Sequence, residues 1–245
     1  MLEPSMNQAA GLQGLSLHIA PKLIAIASHG SQQGELPLLW SLCTKWVDMG
    51  FPVAVLDGHA RESDENPGLL QSMADPLGHV PEDQDTAAWS VVPAAVGLAY
   101  LEDAGFDLDS IGHCFKKFAV VVIYATAEVL SGLLKDSGMS PLLVVTPLKA
   151  SSLTAYQAMK QLLLNAHLHP TIANIALVNN NSAIRAQPTQ NLQNCAMTFL
   201  GLTIKPITVS AASTGEAAHG DMNRLALQLL ESAVHLERQP ISRKH

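Results

Sequence analysis

The chain has 245 residues, 48% hydrophobic and 14% charged, enough for one large α/β domain with a full core rather than two independent ones. Its formal charge of −7 and pI near 5.7 argue against a nucleic-acid partner, which requires a clustered basic face. Cys43, Cys114 and Cys195 are odd in number, far apart and without a CxxC or CxxH spacing, which supports neither a disulfide framework nor a zinc site, and no apolar run reaches the ~20 residues of a membrane span.

In chain order, residues 1–21 form a leader, which lacks the basic region and apolar core of a secretion signal, so residence in the cytoplasm is expected. Leu12 and Leu15 share one helical face, with Gln8 one turn ahead of Leu12. Alone the stretch is too short to be a stable helix in water. It reads either as a leader with no structure of its own or as a peptide that folds when it docks on a partner.

Lys22–Ser28 is a short apolar run, residues 29–35 make a polar turn, and residues 36–49 carry apolar side chains at Leu36, Leu39, Trp40, Cys43 and Trp46. That is strand, loop and amphipathic helix. Gly50 closes the helix, residues 52–56 read as a second buried strand, and Asp57 and Gly58 stand at its carboxyl end, where open α/β sheets place ligands. The layout is a βαβ unit of the phosphate-binding type, yet its chemistry is missing. Such a loop needs glycines to wrap a phosphate, a lysine to reach the outer phosphates, and Ser or Thr for magnesium. Gly30 and Gly34 supply part of the turn, but Glu35 stands at the lysine position and Leu36 follows it. A unit charge pair about 4 Å apart is worth about 4 kcal/mol at an effective dielectric near 20, so attraction turned to repulsion is a swing of roughly 8 kcal/mol at most. Glu35 can rotate into water and escape much of that, but it cannot replace a lysine. Weak nucleotide binding or none is expected.

Beyond Asp57 comes a polar loop, then a turn or two of helix over 68–73, an acidic loop over 76–86, a third strand over 87–92 and a helix over 94–103. The alternation continues with helix 107–117, strand 119–124, helix 127–135, strand 141–146, helix 150–166, strand 172–178, helix 187–199, strand 202–209 and helix 216–234. Helix 150–166 is expected to bury Leu153, Tyr156, Met159, Leu162 and Leu163. This order predicts a three-layer α/β fold, a mostly parallel sheet with helices on both faces.

Several residues invite chemistry and have plainer readings. Asp57 can accept loop N–H groups, His59 can be a solvated loop histidine, and His167 with His169 marks a surface turn rather than a metal site. Ser28 beside His29 lacks the Gly-x-Ser-x-Gly pattern of a hydrolase elbow.

Residues 28–57, the strand 120–124, the segment 142–156 and the strand end 176–180 resemble successive landmarks of the MinD/ParA class of P-loop ATPases, over nearly the whole chain. In that resemblance Gly30 corresponds to the family's signature lysine, Glu35 to its phosphate lysine, Asp57 to the aspartate ending the second strand and His59 to its catalytic acid. Tyr124 and Thr126 correspond to the aspartate and proline of the second switch, and Asn179 to the adenine-reading asparagine. Within the class, residues 7–13 are similar to the N-terminal motif of the FlhG (FleN) family of flagellar-number regulators: Gln8, Ala9 and Leu12 match, while Asn7 and Gln13 replace its acid and base.

The resemblance implies three parts: a partner-binding leader (1–21), a MinD-like domain (22–236) and a basic tail (237–245). It implies a pseudo-ATPase with no catalytic residue, metal or cofactor, which binds and stimulates an FlhF-like signal-recognition-particle-type GTPase through the leader. Partners among flagellar or secretion-machinery proteins, a homodimer, at most weak membrane contact, and a place at the cell pole or inner membrane surface belong to the same expectation. Two alternatives stand beside it: an ATP- and magnesium-dependent dimerising switch, and an accessory protein of a polysaccharide or pilus secretion system.

Overall fold

Strands that are apolar on both faces belong in the middle of a parallel sheet, and the run of valines beginning at Val120 is placed there. The computed structural model describes residues 20–29, 32–74, 89–105, 108–176, 182–210 and 216–236. The strands are β1 (Lys22–Ser28), β2 (Val53–Asp57), β3 (Trp89–Pro93), β4 (Val120–Thr126), β5 (Leu142–Val145), β6 (Thr171–Ala176), β7 (Ile207–Ser210) and β8 (Val234–His235). The helices are α1 (Gln32–Asp48), α2 (Leu69–Ala74), α3 (Ala95–Ala104), α4 (Leu108–Cys114), α5 (Ala127–Leu133), α6 (Lys149–Ala166), α7 (Ser182–Leu200) and α8 (Glu216–Ser232).

One sheet runs β3-β2-β4-β1-β5-β6-β7, all parallel along that path. Strand side chains alternate, so each strand feeds two cores. Leu23, Ala25, Ala27, Val121 and Ile123 pack with Leu98, Leu130, Met159 and Leu162 on the side of α3, α5 and α6. Ile24, Ile26, Val120, Val122 and Tyr124 pack with Leu39, Trp46, Leu225 and Leu229 on the side of α1 and α8. Trp46 joins these two helices through its indole N–H, which donates to the Ala226 carbonyl at 3.1 Å.

Four expectations need correction. The polar turn is shorter than the sequence implies: α1 begins at Gln32, so Gly34 and Glu35 lie in its first turn. On α6 the buried side is Ala155, Ala158, Met159, Leu162 and Ala166, a single helical stripe, and Leu153 is 61% exposed. Residues 202–206 are not strand; pairing with β6 begins at Ile207, directly after Pro206, which has no N–H to offer a ladder. Val234 does not continue α8. It pairs antiparallel with Leu23, because β5 reaches β1 only at Ile26 and Ala27, and β8 fills the edge left open beside Lys22 and Leu23.

Candidate functional site

The carboxyl ends of β1, β2, β4 and β5 bring Ser28, Asp57, Tyr124 and Val144 to one edge, where Glu35 in the first turn of α1 meets His29 and Tyr124. Ser28 Oγ lies 2.8 Å from His59 Nε2, and the Asp57 carboxylate accepts the His59 main-chain N–H at 3.0 Å. The His59 ring packs against Tyr124 with centroids 5.1 Å apart. Gly58 allows this crossing: its N–H donates to the Tyr124 carbonyl at 2.8 Å, and a Cβ there would stand 2.8 Å from the Ala125 Cβ.

Glu35 is the centre of the arrangement. It is 1% exposed, so it has not turned into water as the sequence allows. One carboxylate oxygen accepts the His29 main-chain N–H at 3.3 Å and lies 3.1 Å from His29 Nε2. The other accepts the Tyr124 hydroxyl at 3.2 Å. Strand alternation explains that last contact, since Tyr124 shares with Val120 and Val122 the face that α1 covers. The same contacts explain the early start of α1: its first turn is gripped from β1 and β4, and a carboxylate there suits the helix dipole.

His29 is braced independently of Glu35. Its Nε2 also meets the Val144 carbonyl, and because a carbonyl oxygen only accepts, Nε2 carries a proton. Its Nδ1 lies 2.8 Å from the Thr154 hydroxyl on α6. Burial raises the Glu35 carboxyl above its ordinary value, while His29, the His29 N–H, Tyr124 and His59 pull it back. Burial also pushes the Tyr124 phenol well up, and the neighbouring Glu35 and Asp57 add to that.

Of the sequence-predicted pocket residues, Glu35, Asp57 and His59 come together at this edge, with Gly34 in the helix beside them. Gly30, Asn179 and the leader residues Asn7, Gln8, Ala9, Leu12 and Gln13 lie outside the described residues. Sequence reasoning missed His29 and Thr154 as members of the site and took Ser28 only with its neighbour. The Ser28–His59 distance is one a nucleophile and base would have, but Ser28 is 4% exposed, so its hydroxyl faces protein. Among the described residues, no cluster of three or more His, Cys, Asp and Glu is placed to hold a metal ion, and no helix is long and apolar enough to cross a membrane.

The mostly parallel sheet with helices on both faces matches the fold of the MinD/ParA P-loop NTPases. The chain is similar to a chain of the MinC:MinD cell division protein complex of Aquifex aeolicus, at 14% identity over 89% of this chain and 98% of that one, with a TM-score of 0.52. A plasmid partition protein from Borrelia burgdorferi matches at 14% identity, 85% and 99% coverage and TM-score 0.52. A Cyanothece McdA variant in complex with ATP matches at 14% identity, 84% and 88% coverage and TM-score 0.52. At this identity the likeness is one of fold. No family model and no curated protein matches the sequence.

Proposed function

We propose that this chain is a MinD-like regulator that acts by protein contact without hydrolysing a nucleotide. Its partner is an FlhF-like GTPase, engaged and stimulated by residues 7–13, and its role is control of flagellar number or placement. The observation that carries the non-hydrolysing reading is the position of Glu35. A carboxylate buried where the resemblance puts the phosphate lysine takes the donors that face the first turn, and it would repel a triphosphate. The residues at this edge therefore do not suit ATP with magnesium, and no chemical step is assigned to that pair. The partner assignment is supported by the matches at Gln8, Ala9 and Leu12 ahead of a MinD-like first strand.

Two measurements test the two halves. Calorimetry with ATP and magnesium should give no heat of binding, and a micromolar Kd would replace this reading with the dimerising ATP switch. GTP turnover by an FlhF-like GTPase should rise in the presence of the full chain and fall back with Gln8→Ala. No stimulation, or stimulation unaffected by that substitution, would remove the partner and leave a secretion-system role to be decided by gene neighbourhood.

A further inference from the structure

Two hydrogen-bond donors and one imidazole converge on a single carboxylate at the ligand edge of the sheet. The His29 main-chain N–H donates to Oε1 of Glu35 and the Tyr124 hydroxyl to Oε2, while His29 Nε2, whose proton goes to the Val144 carbonyl, lies 3.1 Å from Oε1. Neither side chain owes its position to Glu35 alone. The imidazole is fixed by the Val144 carbonyl on β5 and by Thr154 on α6, and the phenol is fixed by its place on β4 and by the His59 ring. The Glu35 side chain is fully inaccessible and that of His29 is 2% exposed, so water does not compete for these bonds. The cluster sits where parallel α/β sheets take anions: at strand carboxyl ends, facing the first turn of a helix.

We propose that Glu35 is an internal ligand: its carboxylate fills an oxyanion cradle made by His29 and Tyr124, and the cradle binds a small free carboxylate once that side chain is cut back. The inference deepens the reading above, in which Glu35 keeps phosphate out, and it identifies what stands in its place. An edge that a bound anion would otherwise order is thus held in one arrangement by the chain itself, tying β1, α1 and β4 together without any small molecule. Among the described residues, the other charged and titratable groups that act on the cluster are Asp57, which lies close enough to Tyr124 to raise its phenol, and His59, which acts on Glu35 through space.

The test is chemical rescue in the full-length chain. Glu35→Ala deletes a carboxylate and one methylene, leaving room for formate. Thermal unfolding is followed in sodium formate and in sodium chloride of equal ionic strength, for the native chain, Glu35→Ala, and Glu35→Ala combined with Tyr124→Phe. Formate at 100 mM should raise the Tm of Glu35→Ala by about 3 °C in a saturable way, leave the native chain unmoved, and act more weakly on the double variant. An equal response in the native chain and Glu35→Ala overturns the proposal. Should Glu35→Ala not fold in chloride, recovery of folded protein on refolding in formate supports the cradle, and no recovery overturns it. A leader that fails to stimulate the GTPase leaves this result untouched, and an absent formate response leaves the partner assignment untouched, so the two can fail separately.

Discussion

The Glu35 carboxylate and the His29 imidazole meet at 3.1 Å with both side chains sealed from solvent, six residues apart across the turn that joins the central strand to its helix. A buried carboxylate keeps its charge only against the loss of hydration, and here burial outweighs the donors, so the folded chain holds a proton on Glu35 to higher pH than the unfolded chain does. The folded state thus binds more protons across that window. Its contribution is fully present below the unfolded value of 4.5 and declines as pH rises through the raised folded value. Glu35→Gln, neutral at every pH, should lie within about 1 kcal/mol of the native chain in acid and gain on it as pH rises. Urea midpoints at several pH values check this, and a gap that does not change with pH would contradict it.

Tyr124 adds the same sign at the alkaline end. Its phenol is held above the ordinary 10.0, by burial first and then by Glu35 and Asp57, so stability attributable to it is complete below pH 10 and is lost as pH climbs further. Tyr124→Phe removes the donor to Glu35 and should cost about 1.5–3 kcal/mol at neutral pH, the range for a hydrogen bond to a charged group. The variant should also lose the native chain's steep decline above pH 10, which thermal scans between pH 8 and 11 would read.

The three thiols divide by burial. Cys43, inaccessible on α1, is pushed from the ordinary 9.0 up to about 12, which lowers its thiolate fraction by about a thousand-fold, and burial raises Cys114 as well. Cys195 is half-buried on α7. Titration with a thiol reagent at pH 8 should therefore label Cys195 in the native chain and reach Cys43 and Cys114 only in denaturant. Prompt labelling of Cys43 in the native state would mean that α1 is not packed as described.

The alternation of strands and helices was legible because the central strands β1, β2, β4 and β5 are continuous apolar runs, a signal that comes from burial itself. Glu35 was legible as a departure from the phosphate-loop pattern but not as a buried group. The residues that keep it inside, His29 and Tyr124, lie six residues before it and 89 residues after it, and only the sheet brings the second one near. The choice of Leu153 as a core residue failed for a related reason. Tyr156, Leu162 and Leu163 fit two overlapping stripes on α6, and the small residues Ala155 and Ala158 mark the true one by allowing close approach to the sheet. Two-residue β8 has no periodicity to detect and exists because β5 is short.

Glu62 has a structural role that its exposed, charged neighbourhood in the sequence conceals. It is 7% exposed, and its two carboxylate oxygens accept the main-chain N–H groups of Val96 at 2.6 Å and Gly97 at 2.8 Å. These are orphan donors of the first turn of α3, whose own N-cap, Ala94, offers no side-chain acceptor. The loop after β2 thus caps a helix that begins 33 residues later, and the cap in turn fixes the loop that carries His59. Glu62→Ala should cost about 1–3 kcal/mol, because two N–H groups lose their acceptor at a site with little access to water. It should also free the peptide bond after the exposed Arg61, so limited trypsin digestion should cut there faster than in the native chain. An unchanged urea midpoint together with unchanged cleavage at Arg61 would show that the cap holds neither the helix nor the loop.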